Sequence, residues 1–155
     1  MLFRSIQNGD GGTVADTLAR TIGKLGENIK ISKAITMTTE ISNVIGSYVH
    51  GPFVTSLGGC SLGRYGGMVA VKPIQGDPDV DSVLRLASRL AQHVVGMNPS
   101  VIEEDGSDNG AVKDGETSGA LLEQEYLFDD SVIVKDLLSR EGIQVVDFVR
   151  YECGV

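Results

Sequence analysis

RYGGMVAVKPI, residues 64–74, is the stretch on which the fold turns. Tyr65, Gly67, Val69 and Val71 alternate with Met68 and Ala70, the period of a strand with two different faces. Pro73 has no N–H to give a ladder, so the strand ends there. Just upstream, NVIGSYVHG (43–51) reads as another strand, broken at Gly51 before Pro52. Just downstream, Val83, Leu86, Ala87, Leu90 and Val94 recur at helical spacing between Val80 and Gly96. Asp77 and Pro78 are placed to serve as its N-cap and first-turn pair. Pro99 disfavours helical backbone at Asn98 and marks the helix end. Hairpin-linked strands followed by a helix, without regular strand–helix alternation, indicate an α+β fold. The expected architecture is an antiparallel sheet of three to four strands packed against helices on one face.

Working outward, TVADTLARTIGKLG (13–26) sets Val14, Leu18, Ile22 and Leu25 on one helical face. Thr13 and Asp16 form a capping-box pattern, and Gly26 suits the left-handed residue beyond the end. In ENIKISKAITM (27–37), Ile29 and Ile31 alternate with Lys30 and Ser32, which predicts a short strand. SVIVKDLLSREG (131–142) predicts a helix stopped by Gly142, and IQVVDFVRYECG (143–154) a last strand. Between Glu103 and Gly119 the chain is acidic, rich in glycine and poor in large apolar residues. Such a segment buries too little to order itself. The expected organisation is a flexible arm over 1–12 and one subdomain over 13–154, with 103–119 an acidic flexible insert.

The 155 residues carry 21 acidic and 13 basic side chains, a net charge of −8. That balance opposes binding to phosphate backbones, and Arg85 with Arg89 is too small a cluster to reverse it. No run approaches the ~20 consecutive apolar residues of a membrane span. The N-terminal MLFRSIQNGDGG has no long apolar core of the kind a secretory signal carries. Cys60 and Cys153 have no CxxC spacing, which argues against a zinc site.

Chemistry concentrates on few residues. His50, at a strand end beside Gly51, admits three readings: a general base with Cys60 as nucleophile, a partly exposed strand-end residue, or a binding contact with both ring nitrogens turned outward. A small Cys60/His50 thiol-dependent enzyme requires an activated cysteine, yet no helix N-terminus follows Cys60 to lower its pKa. His93 sits within the long helix and reads as structural. The glycines at 58, 59, 63, 66 and 67 match neither GxxxxGK[ST] nor GxGxxG and run into a strand, so they indicate a hairpin excursion. Glu103, Glu104, Asp105 and Asp108 lack the twelve-residue calcium pattern and read as solvated charge.

Several blocks taken together resemble elongation factor Ts, most closely its mitochondrial type, over the C-terminal core subdomain. They are IGKLGENIKISKA (22–34), GSYVHG (46–51), GRYGGMVAV (63–71), LAQHVVGMNPSVI (90–102) and LLEQEYLFDDSVIVKDLLSREGIQVVDFVRYECG (121–154). The resemblance implies a translation factor of the mitochondrial matrix. It implies guanine-nucleotide exchange on elongation factor Tu, engaged in its GDP-bound and nucleotide-free forms, with GDP release promoted by protein binding alone. It implies no enzyme chemistry, cofactor, direct nucleic acid or membrane partner. It implies that His50, the histidine of the Tyr-x-His-Gly motif, is a partner contact, with Tyr48, Gly51, Arg64 and Tyr65 as its candidate neighbours at a protein-binding edge. The Thr-Asp-Phe-Val wedge of the family has no counterpart here, since Asp147-Phe148-Val149 follows Val146 and matches the family's last strand. A binding fragment without exchange activity is the remaining alternative.

Overall fold

The computed structural model describes residues 11–51, 55–57, 60–74, 76, 79–104 and 119–154. The chain divides into two compact units, Met1–Thr36 and Met37–Val155. In the first, helix α1 spans Val14–Leu25. Thr13 Oγ1 accepts the Asp16 N–H while Asp16 accepts the Thr13 N–H, so both orphan donors of the first turn are satisfied. Gly26 closes the helix at φ 71°, as its position predicted.

The second unit holds a three-stranded antiparallel sheet in the order β1 (Val44–His50), β4 (Tyr65–Pro73), β7 (Ile143–Glu152). Between β1 and β4 lies a two-stranded ribbon, β2 (Thr55–Leu57) with β3 (Cys60–Leu62). Helix α2 (Val80–Met97) packs across the sheet. Its approach is set by glycine: a Cβ on Gly46 would overlap the Ala87 backbone, and one on Gly67 would lie 2.7 Å from the Ala91 carbonyl oxygen. Val69 and Val71 meet Val83, Ala87, Leu90, Ala91 and Val94 in one core, joined by Leu121, Tyr126, Val134, Leu138, Ile143 and Val145. Full burial of each such Leu or Val contributes about 1.5–3 kcal/mol, which outweighs the weak strand propensity of the glycines.

Beyond α2 the chain forms a 3-10 turn at Leu121–Glu123, a small hairpin of β5 (Glu125–Tyr126) with β6 (Asp129–Ile133), and helix α3 (Val134–Glu141). Its return is pinned by a parallel bridge. Ser100 N–H and Val101 N–H both reach the Gly119 carbonyl, at 2.7 and 3.3 Å, and Leu121 N–H reaches the Val101 carbonyl at 2.9 Å.

The α+β class and the antiparallel sheet agree with the sequence reading, with three strands in the main sheet. Three local expectations do not hold. Residues 27–37 form no strand, because alternation supplies a face but, among the described residues, no neighbouring ladder takes up the backbone groups. The cap of α2 is Asp79, whose carboxylate accepts the Ser82 N–H at 3.1 Å; Asp77 and Pro78 lie outside the described residues. The expected helix over 131–142 begins only at Val134, since Ser131–Ile133 belongs to β6. Gly142 at φ 64° is nevertheless its stop. The acidic segment falls outside the described residues over 105–118.

Candidate functional site

The register of the sheet builds the site. Directly opposed residues in an antiparallel pair project to the same side. His50 opposes Tyr65, which opposes Glu152, and one row inward Tyr48 opposes Gly67, which opposes Arg150. These two rows lie at the end of the sheet beside the C-terminal turn of α2, where Arg150 Nε donates to the Val95 carbonyl at 3.2 Å. The last turn of α2 has no basic residue of its own. Arg150 therefore supplies, from β7, both a donor for an orphan carbonyl and a positive charge at the negative helix end.

The aromatic groups interlock around His50. The Tyr48 hydroxyl lies 3.2 Å from His50 Nδ1, and the two rings stack at 6.1 Å and 23°. The Tyr65 ring sits 6.3 Å from the imidazole, tilted by 39°. Arg64 and Arg150 both lie over the Tyr65 ring, at 5.5 and 5.3 Å from its centroid. Glu152 joins the two cations, 3.4 Å from Arg64 Nη2 and 3.8 Å from Arg150 Nη1. His50 itself is exposed, whereas Tyr48 and Tyr65 are half-buried.

Gly51 and Gly63 let the strand ends meet. A Cβ on Gly51 would be 2.7 Å from the Arg64 amide nitrogen, and one on Gly63 would be 2.8 Å from the His50 carbonyl oxygen. The backbone of Arg64 is also tied to β7, its carbonyl accepting the Cys153 N–H at 2.8 Å.

All five residues singled out in the sequence thus come together at one end of the sheet: Tyr48, His50, Arg64 and Tyr65 by side chain, Gly51 by backbone approach. Arg150 and Glu152 complete the group and were not foreseen. Their clue was parity: residues 148, 150 and 152 share one face of the last strand. Cys60 stands apart, exposed at the start of β3, and among the described residues no hydrogen bond joins it to His50. Among the described residues, no group of three or more His, Cys, Asp or Glu is arranged to hold a metal ion, and no helix is long and apolar enough to cross a membrane.

His93 is a different case. It is fully buried in α2, accepting the Leu127 N–H at Nδ1 (3.1 Å), so the remaining ring proton sits on Nε2 and is donated to Gln124 Oε1 at 2.9 Å. Burial lowers its pKa below the ordinary histidine value. The ring is a neutral structural strut linking α2 to the β5–β6 segment, in line with its sequence reading.

The family model described as elongation factor TS matches residues 3–118. Among similar proteins, the mitochondrial elongation factor Ts of Nematostella vectensis is 58% identical over 147 residues, covering 95% of this chain and 50% of the relative. The human mitochondrial elongation factor Ts is 38% identical over 144 residues, covering 92% of this chain and 42% of the relative. That of Xenopus laevis is 37% identical over 145 residues, covering 92% and 45%. The chain spans about half the length of these relatives, and its likeness to their mitochondrial type supports a mitochondrial location. By family model and by relatives alike, the chain belongs to the elongation factor Ts family.

Proposed function

We propose that the chain works in mitochondrial translation as the partner-gripping part of a guanine-nucleotide exchange factor, binding elongation factor Tu through the sheet end that carries Tyr48, His50, Gly51, Arg64 and Tyr65. The observation that carries this reading is the presentation of His50: an exposed ring held by the Tyr48 hydroxyl at 3.2 Å and flanked by Tyr65. Fixing an exposed side chain before association reduces the ordering entropy that binding must overcome. Membership of the elongation factor Ts family supplies the partner. The work is association, with the matrix of the mitochondrion as its place, and residues 13–154 form the gripping subdomain with an acidic insert at 103–119.

The test is a titration of the 155-residue chain into elongation factor Tu, with and without GDP, followed by the same titration with His50→Ala. Binding weakened by about 1–2 kcal/mol in the variant, at unchanged thermal stability, is expected of a moderate interface residue. Equal losses in folding and binding would make His50 part of the fold and remove it from the interface.

A further inference from the structure

Two guanidiniums share one aromatic ring and one carboxylate at the sheet end, and they are held very differently. Arg150 is anchored: its side chain is 22% exposed, its Nε–H is committed to the Val95 carbonyl at 3.2 Å, and its plane lies over Tyr65. Arg64 is 57% exposed in its side chain and reaches Glu152 through Nη2 alone, at 3.4 Å. A well-made guanidinium–carboxylate bond is about 2.7–2.9 Å and often bidentate. Neither of the Glu152 contacts, at 3.4 and 3.8 Å, is that close. One carboxylate divided between two cations leaves a local excess of one positive charge, on a chain whose net charge is −8.

We propose that Arg64 is a carboxylate-receiving site: an acidic side chain of the partner protein takes the Arg64 guanidinium, and Glu152 is the internal carboxylate that holds it in position until then. Arg150 and Tyr65 are positioning residues. Arg150 stays on the Val95 carbonyl and keeps the Tyr65 ring under Arg64. Exchange of one carboxylate for another leaves the number of ion pairs on Arg64 unchanged, and returns Glu152 to Arg150, 3.8 Å away. A protein carboxylate is favoured over a nucleic-acid phosphate because the site already accommodates a carboxylate. In addition, a net charge of −8 repels a polyanion far more than it repels a single acidic side chain. The identity of the protein partner rests on the reading proposed above; the chemistry of the site does not.

The two are separated by using two probes on the full chain. The first is a short peptide of otherwise neutral residues, blocked at both ends and bearing a single glutamate, followed by the NMR signals of the arginine Nε–H groups; the second is elongation factor Tu, titrated at low and moderate ionic strength. Glu152→Gln is expected to tighten both by about three- to fivefold, the scale of a released surface charge. Arg64→Gln is expected to abolish the peptide response and to flatten the salt dependence of protein binding, and Arg64→Lys to restore part of it without the planar fork. Arg64→Gln changes an exposed side chain, so a folding defect does not confuse its result. Unchanged or weaker binding in Glu152→Gln, with an unchanged salt response in Arg64→Gln, overturns the inference and leaves a structural bridge. A single-stranded oligonucleotide that displaces the peptide and binds Glu152→Gln more tightly overturns the choice of carboxylate in favour of phosphate. If the peptide behaves as expected while His50→Ala leaves elongation factor Tu binding untouched, the partner reading fails and the carboxylate site stands.

Discussion

Gly46 of β1 and Ala87 of α2 meet backbone to backbone: a Cβ added to Gly46 would overlap the carbonyl carbon of Ala87 and the amide nitrogen of Ser88. Neither neighbour is a flexible side-chain tip that can swing away. Gly46→Ala must therefore lift α2 off the sheet or bend β1, and should cost about 3 kcal/mol, the upper range for overpacking. Chemical denaturation of the variant measures it. A loss below about 1 kcal/mol would mean that the helix tolerates a wider separation from the sheet.

His93 gives the fold a pH dependence whose sign is fixed by its pKa. The folded value is depressed by burial, so the unfolded chain takes up the proton first. The stabilising contribution is complete above the unfolded pKa, about 6.5, and is lost as pH falls from there toward the lower folded value. Protonation also sets an Nδ1–H against the Leu127 N–H, two donors face to face. Unfolding free energies measured between neutral and mildly acidic pH should fall in the wild type, and this part of the slope should vanish in His93→Leu. That variant should itself lose about 3 kcal/mol at neutral pH, because the Leu127 N–H and Gln124 Oε1 each lose a partner.

The bulge in β7 can be tested directly. Ala70 opposes Asp147 and Val71 opposes Val145, which leaves Val146 as the extra residue. Deleting Val146 would leave a regular ladder, Val145 opposite Val71 and Asp147 opposite Ala70, with Phe148, Arg150 and Glu152 still on the same face. The expected outcome is retained cooperative thermal unfolding and retained binding to elongation factor Tu; loss of both would show that the bulge itself is required.

Removal of residues 105–118, replaced by a short glycine–serine linker, should shift the thermal midpoint by no more than a few degrees. The flanks are already joined by the Ser100, Val101 and Leu121 backbone hydrogen bonds around Gly119, and a shorter loop lowers the closure entropy. A collapse of stability would show that the segment packs on the core.

Binding and exchange should separate. A factor that favours GDP release must bind the nucleotide-free partner better than the GDP-bound one, since equal affinity shifts no equilibrium. The sequence contains no Thr-Asp-Phe-Val. Added to elongation factor Tu loaded with a fluorescent GDP analogue, the chain should bind with weak or absent stimulation of release, and GDP should scarcely change its affinity. Release as fast as with a full-length factor would place an exchange-active surface within these residues.

Local periodicity was enough to read α1 with both its caps, β1, β4, the body of the long helix α2, the Gly142 stop and β7 from the sequence, because each is a run with consistent apolar spacing. The α+β class followed from their order. The five proposed contact residues came from the family resemblance, and the pairing of His50 at the end of β1 with Tyr65 at the start of β4 is what sets them side by side. What sequence spacing could not decide were features that depend on a neighbour. The alternating Ile29 and Ile31 make no strand without a ladder to join, and Ser131–Ile133 became strand because Glu125 and Tyr126 are there to pair with β6. Arg150 and Glu152 reach the site only because Val146 bulges out of register with β4. With a period of two, one extra residue exchanges the faces of everything beyond it, and only the pairing with β4 settles where that residue goes.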